Sequence, residues 1–235
     1  MKQAAFAFIA FVAFVLTAVL MSSASASKLT SSAAAAAFPS PAMDDPLASA
    51  PAKETLVLAG GCFWGVQAVY QHVKGVTRAT SGYAGGQAKT ASYHIVSSGA
   101  TGHAESVEIV YDPSQISYGQ LLRVFFSVAH DPTERNRQGP DEGTQYRSVI
   151  FYTSPRQQEI ARAYIAQLDG AKIFKRPIAT EVVPLAGFYA AEAYHQDYAT
   201  THPFDPYIMV NDKPKVNNLQ SHYPDLFVSK MASSK

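Results

Sequence analysis

Between residues 56 and 73 the chain reads LVLAGGCFWGVQAVYQHV, and its hydrophobic period changes within one turn. The apolar run ending at Ala59 reads as a strand, and Gly60 and Gly61 permit a sharp turn. Phe63, Val66, Val69, Tyr70 and Val73 then recur at helical spacing. A strand that passes directly into an amphipathic helix commits the chain to helices packed on a sheet.

The remaining pattern extends that commitment. AESVEIVYD (104–112) alternates as a strand with Val107, Ile109 and Tyr111 on one face. SYGQLLRVFFSVAH (117–130) is amphipathic, and Ser117 with Gln120 forms a capping box. YRSVIFYT (146–153) is a second clear strand. SPRQQEIARAYIAQLDG is the strongest helix signal, with Ser154 as N-cap, Pro155 at the first helical position and Gly170 as terminator. TEVVPL (180–185) reads as a last strand and AEAYHQDYATTH (191–202) as a last helix, with a C-terminal tail from about residue 213. The expected fold is an α+β (α/β) two-layer sandwich in one domain over 55–235. Two long segments, 80–105 and 130–146, lack periodicity but carry tyrosines and histidines between strong strands, so they read as functional loops rather than disorder.

Ahead of the domain, residues 1–26 combine a lysine, a long apolar stretch and a small-residue SASAS region. This is a signal for export to the periplasm or the medium, with cleavage after Ala26; an uncleaved membrane anchor is the alternative. Residues 27–54, rich in Ala, Ser and Pro, read as a flexible linker. With 19 Lys and Arg against 18 Asp and Glu and no basic stripe, a nucleic-acid partner is not expected.

An exported chain meets oxidising conditions, yet this one has a single cysteine, Cys62, and no internal disulfide can form. The thiol is either buried and inert or kept for reaction. The start of a helix favours a thiolate. That advantage is small. Lowering a thiol pKa from about 8.5 to about 7 gives about 16-fold more thiolate at pH 7, and lost nucleophilicity reduces the net gain to about threefold. A positioned general acid contributes ~10²–10⁴-fold. Glu105, where a Gly-rich loop meets a strand, is the best candidate acid, though a solvated strand-end carboxylate is the commoner fate. Asp141 carries the same ambiguity. Tyr93 and Tyr146 read as hydrogen-bond donors to a polar substrate atom or as half-buried loop aromatics, and Phe63 and Trp64 as core or as an apolar wall for a substrate methyl group.

GCFWG (61–65), GYAGG (82–86), YHIVSSGATGHAE (93–105), GTQYRS (143–148) and AEAYHQDY (191–198) together resemble the A-type peptide-methionine sulfoxide reductases, over a likeness running from Leu56 to about Leu219. The resemblance implies a ferredoxin-like core and reduction of methionine S-sulfoxide, free or in oxidised proteins; a monomer without a bound cofactor is expected. It further implies that Cys62 attacks the sulfoxide sulfur, Phe63 and Trp64 hold the methyl group, and Glu105 protonates the oxygen. Tyr93 and Tyr146 would bond that oxygen, with Asp141 supporting the polar side. Many relatives resolve the resulting sulfenic acid with further cysteines near the C-terminus. This chain has none, so an external thiol reductant, a thioredoxin-like protein or a small thiol, is expected. Gln67 stands where many relatives carry Glu, a change expected to concern the helix surface.

Three other readings compete. Cys62 with His103 or His195, oriented by Asp197, would form an acyl-transfer site. His195 and His202, seven apart, would begin a metal site. A binding module for methionine-rich segments would use Phe63, Trp64 and the tyrosine loops without catalysis.

Overall fold

The computed structural model describes residues 38–234. The proposed signal segment and the first part of the linker lie outside the described residues.

Strand β1 (Glu54–Gly60) leads through Gly61 and Cys62 into helix α1 (Phe63–Gln71). Gly61 has φ +88°, and a Cβ there would lie 2.5 Å from the Gln138 side chain, so both conformation and space demand glycine. Strand β2 (Val76–Ala84), the short helix α2 (Tyr93–Val96) and strand β3 (Ala104–Tyr111) follow. Helix α3 (Tyr118–Val124) has the expected Ser117–Gln120 capping box and continues into a π-helical turn over Phe125–Ala129. Two-residue strands β4 (Arg137–Gln138) and β5 (Asp141–Glu142) pair with each other. Strand β6 (Ser148–Tyr152) and helix α4 (Pro155–Gly170) precede strands β7 (Glu181–Pro184) and β8 (Phe188–Ala190). The chain closes with α5 (Tyr198–Thr201), a π-helical turn over Ile208–Asp212 and α6 (Lys213–His222).

The main sheet has the order β7-β6-β1-β3-β2-β8. All its pairings are antiparallel except β6 with β7, which α4 connects. Leu56 and Leu58 of β1, with Val107, Ile109 and Tyr111 of β3, pack with side chains of α1, α3 and α4 in one large core, so these helices share one face. Val57, Ala59, Ala104 and Val149 form a smaller cluster on the other face. The fold is mixed α/β.

Several elements depart from the sequence reading. Residues 80–84 belong to β2, because pairing with β3 supplies partners that a Gly- and Ser-containing run does not announce. Residues 191–202 do not form one helix. A 3₁₀ turn at Ala193–His195 is separated from α5 by Gln196 and by Asp197, which has φ +60°. Helix α4 stops without a left-handed Gly170; the left-handed residue is Lys172, φ +53°. The segment expected as a tail from 213 begins with helix α6.

Residues 38–53 are not a free linker either. The Phe38 carbonyl accepts from Arg123 Nε at 2.9 Å, the Tyr164 hydroxyl donates to the Pro39 carbonyl at 2.6 Å, and Gln167 bonds both Ser40 and Ala42. Asp44 accepts from the Gly119 amide at 2.9 Å and from Ser117 Oγ, adding a carboxylate to the start of α3. Side chains of the domain satisfy this backbone, a possibility invisible in a stretch without periodicity. Among the described residues, no helix is long and apolar enough to cross a membrane.

Candidate active site

Sheet register assembles the site. Strand β1 runs antiparallel to β3 and β6, so its C-terminal end meets the beginnings of both, with Gly60 opposite Ser148 and Leu58 opposite Val107. Glu105 shares the parity of Val107, Ile109 and Tyr111 and therefore faces the helix layer. It emerges under the N-terminus of α1, where the Phe63 amide donates to its Oε2 at 3.1 Å. Glu105 is 3% exposed. Burial raises its pKa from 4.5 to about 8; the Phe63 amide opposes this and the Asp141 charge adds to it. At neutral pH most Glu105 is a carboxylic acid able to give a proton.

Cys62 is the N-cap of α1 and 8% exposed. The Trp64 amide hydrogen bond favours its thiolate, as expected at a helix start, but burial above all, with the Asp212 charge and that of Glu105 once ionised, opposes it and prevails. The resting sulfur is a thiol. The sequence argument captured the backbone contribution and could not see desolvation.

The aromatic residues divide. Phe63 is buried in the core, its ring 5.0 Å from that of His195. Trp64 is half-buried, stacked on Tyr198 at 3.8 Å and edge-on to Tyr207 at 6.0 Å, while its indole N–H donates to His195 Nδ1 at 3.3 Å. Tyr93 is half-buried, its ring 4.6 Å from His195 and its amide bonded to Glu192 Oε1 at 2.9 Å. Burial raises the Tyr93 and Tyr146 phenol pKa values, and the charges of Glu105, Cys62 and Asp141 act on both. Asp141 accepts a hydrogen bond from the Tyr207 hydroxyl. Glu105 is thus bonded to the turn that bears Cys62, Phe63 and Trp64 follow that turn, and Asp141 joins Tyr93 and Tyr146 through the charges it shares with Glu105.

The match to known proteins is extensive. The family model described as peptide methionine sulfoxide reductase matches residues 54–226. The chain belongs to this family. It is 58% identical over 182 residues to peptide methionine sulfoxide reductase MsrA 2 of Mesorhizobium japonicum, covering 77% of this chain and 93% of the relative. Over 190 residues it is 51% identical to MsrA 2 of Synechocystis sp., covering 80% and 89%. Among solved structures it resembles methionine sulfoxide reductase A of Corynebacterium diphtheriae, with TM-score 0.58, 36% identity and coverage of 68% and 80%. Mxr1 of Saccharomyces cerevisiae in reduced form matches with TM-score 0.59 and 33% identity, covering 70% and 92%. The chain is a peptide methionine sulfoxide reductase of the MsrA kind, an enzyme that reduces methionine sulfoxide.

The candidate histidines have partners other than the Cys62 sulfur. The His103 ring lies between the Gly86 amide, which donates to Nδ1 at 3.3 Å, and the Gln87 carbonyl, 3.0 Å from Nε2. His195 Nδ1 serves Trp64, and Asp197 bonds Gln71 and Ser234. The nucleophile-base chain of an acyl-transfer site is not assembled. His202 stacks on Tyr198 at 4.1 Å. Gln67 is buried, not on the helix surface: its amide nitrogen bonds the Ala79 carbonyl and Gln196, and its oxygen accepts from the Asp197 amide at 2.9 Å.

Sequence reasoning missed Tyr198, Tyr207, Glu192, Asp212 and Lys215. AEAYHQDY carried the first and third as motif letters. The segment HPFDPYIMVNDKPK, which places the others, has no period to announce it.

Proposed function

We propose that this reductase works by attack of Cys62 on the sulfur of methionine S-sulfoxide while Glu105 protonates the departing oxygen. The Cys62 thiol gives its proton to solvent as its sulfur bonds the substrate sulfur. The protonated oxygen then passes to Cys62 as the bonds from the substrate sulfur to oxygen and to Cys62 break, so that methionine leaves and Cys62 carries a sulfenic acid. The Glu105 proton goes to that oxygen and is replaced from solvent. Tyr93 and Tyr146 donate hydrogen bonds to the oxygen, Asp141 supports this polar side, and Phe63 with Trp64 faces the methyl group. A sulfoxide has one strongly polar bond and one small apolar substituent, and the site offers donors and an apolar wall to match. The hydrogen bond from the Phe63 amide to Glu105 carries this reading, because it ties a buried, largely protonated carboxyl to the turn that bears the nucleophile.

Reset requires another molecule. A first external thiol condenses with the sulfenic acid, releasing water and leaving a mixed disulfide at Cys62. A second thiol displaces Cys62 and takes the disulfide away. A thioredoxin-like protein or a small thiol fills this role. Residues 1–26 support export to the periplasm or the medium as the place of action, with a retained anchor as the alternative. The order β6-β1-β3-β2, with α1 and α3 as crossovers, supports reading the core as ferredoxin-like, and a monomer suffices for every group named.

Dithiothreitol with racemic methionine sulfoxide tests the chemistry directly. Wild type is expected to stop after consuming the S epimer, and Cys62→Ser to consume neither. Turnover by Cys62→Ser would overturn the assignment. Mass spectrometry after one turnover without reductant is expected to show one sulfenic acid per chain, and a sulfenyl-amide in its place would contradict the proposed reset.

A further inference from the structure

Helix α6 and the turn before it bring an ion pair, with a buried carboxylate and a partly exposed ammonium, to the nucleophile's helix. Asp212 is fully buried, and the Lys215 ammonium lies 3.0 Å from its Oδ1. The pair rests on Gly65, three residues beyond Cys62 in the first turn of α1. A Cβ at Gly65 would lie 2.1 Å from Asp212 Oδ1 and 2.8 Å from Lys215 Nζ. Asp212 Oδ2 has no hydrogen-bond partner.

This arrangement is costly. Removing charges from water opposes folding, and a well-packed apolar pair is often as stable as a buried ion pair. An unpartnered carboxylate oxygen adds to the cost. The pair lies against the first turn of α1, three residues from Cys62, where its charges can act on the nucleophile.

We propose that Asp212 and Lys215, seated on Gly65 in the first turn of α1, are positioning residues that set the electrostatic surroundings of the Cys62 sulfur. The inference rests on the reading of Cys62 as nucleophile. Several other groups face the sulfur: Glu105 from β3, the Trp64 amide from α1, and the phenols of Tyr93, Tyr146 and Tyr207. Burial is the main cause that opposes the Cys62 thiolate; Glu105 adds to it as it ionises, Asp212 adds to it and Lys215 opposes it, with Asp212 outweighing Lys215. In a chain with no second cysteine, the C-terminal segment thus supplies charge rather than a resolving thiol.

Alkylation of the resting full-length enzyme by iodoacetamide across pH tests this without any sulfoxide, so its outcome is separable from that of the proposed reduction. Asp212→Asn is expected to lower the pH midpoint of Cys62 alkylation and Lys215→Met to raise it, each changing the neutral-pH rate by about threefold to tenfold, with Lys215→Arg restoring wild-type behaviour. A merely structural pair would not give shifts of opposite sign. The double variant Asp212→Asn/Lys215→Met leaves no charge of the pair behind and covers the case in which a single variant fails to fold. Its midpoint is expected to fall below wild type. Unchanged midpoints, or single-variant shifts in the same direction, would overturn the proposal.

Discussion

The backbone amide of Phe63 donates to the carboxyl of Glu105 at 3.1 Å, joining the first residue of α1 to the beginning of β3 across 42 positions of sequence. This bond holds the acid at the helix terminus that carries Cys62. The tether also moderates the acid, because an amide donor favours the carboxylate while burial favours the protonated form.

Glu105→Gln is expected to bind substrate normally and to slow sulfenic acid formation by ~10²–10⁴-fold. Single-turnover measurement with rapid quenching reads this directly. The contribution of Glu105 as an acid is full well below its pKa of about 8 and declines as pH rises through it. Wild-type rates corrected for thiolate fraction should fall on that limb, and the variant should show no such limb. A single-turnover rate equal to wild type would remove Glu105 from its role.

The same carboxyl links stability to pH. Its folded pKa of about 8 exceeds the ordinary 4.5, so the folded state holds its proton more tightly. Its contribution is therefore fully present below about pH 4.5 and is lost as pH rises through about 8. His130 has the opposite dependence. Burial lowers its pKa from 6.5 to about 4, so its contribution is present above 6.5 and lost as pH falls through 4. Thermal unfolding of wild type and Glu105→Gln should show the variant gaining relative stability, by a few kcal/mol, between pH 4.5 and 8. NMR should show His130 titrating near pH 4, with Nδ1 donating to the Phe125 carbonyl and Nε2 accepting from Ser148 above that pH.

Gly65→Ala reverses an ordinary expectation. Alanine inside a helix is favoured over glycine by about 1 kcal/mol. Here the added carbon would lie 2.1 Å from Asp212 Oδ1 and force the pair away. A net loss of about 1–3 kcal/mol in urea unfolding is expected, with reduced activity.

Tyr207→Phe removes the hydroxyl that donates to Asp141 while keeping the ring against Trp64. An unpaired Asp141 no longer supports the polar side of the pocket. We expect kcat/KM to fall about tenfold, consistent with loss of a hydrogen bond to a charged group, with little change in melting temperature. Steady-state kinetics with dithiothreitol check both parameters.

Gln67→Ala should loosen the chain at Gln196 and Asp197. It leaves the Ala79 carbonyl and the Asp197 amide without their partners. About 1–3 kcal/mol of stability should be lost, measurable by denaturant unfolding.

Much of this molecule was legible in one dimension because its signals are local. The period change at Ala59–Phe63 placed Cys62 at a helix start, and Ser117 with Gln120 and Ser154 with Pro155 marked helix beginnings found at those positions. Alternation in AESVEIVYD set the face of Glu105, since side-chain direction in a strand has a period of two. The motifs around Cys62 identified the chemistry, because a reaction restricts residue types more tightly than a fold does.

What the tertiary structure decided concerns partners distant in sequence. Burial made Cys62 a resting thiol where the helix start argued for a thiolate, since desolvation depends on everything packed around a group. Pairing with β3 turned residues 80–84 from loop into strand, and side chains of α3 and α4 fastened residues 38–53 that composition left free. Tyr207, Asp212 and Lys215 reach the site through a segment with no period, where only three-dimensional contact gives each residue a role. Cys62 and the candidate acid were visible in the sequence; the charges that govern them are properties of the folded chain.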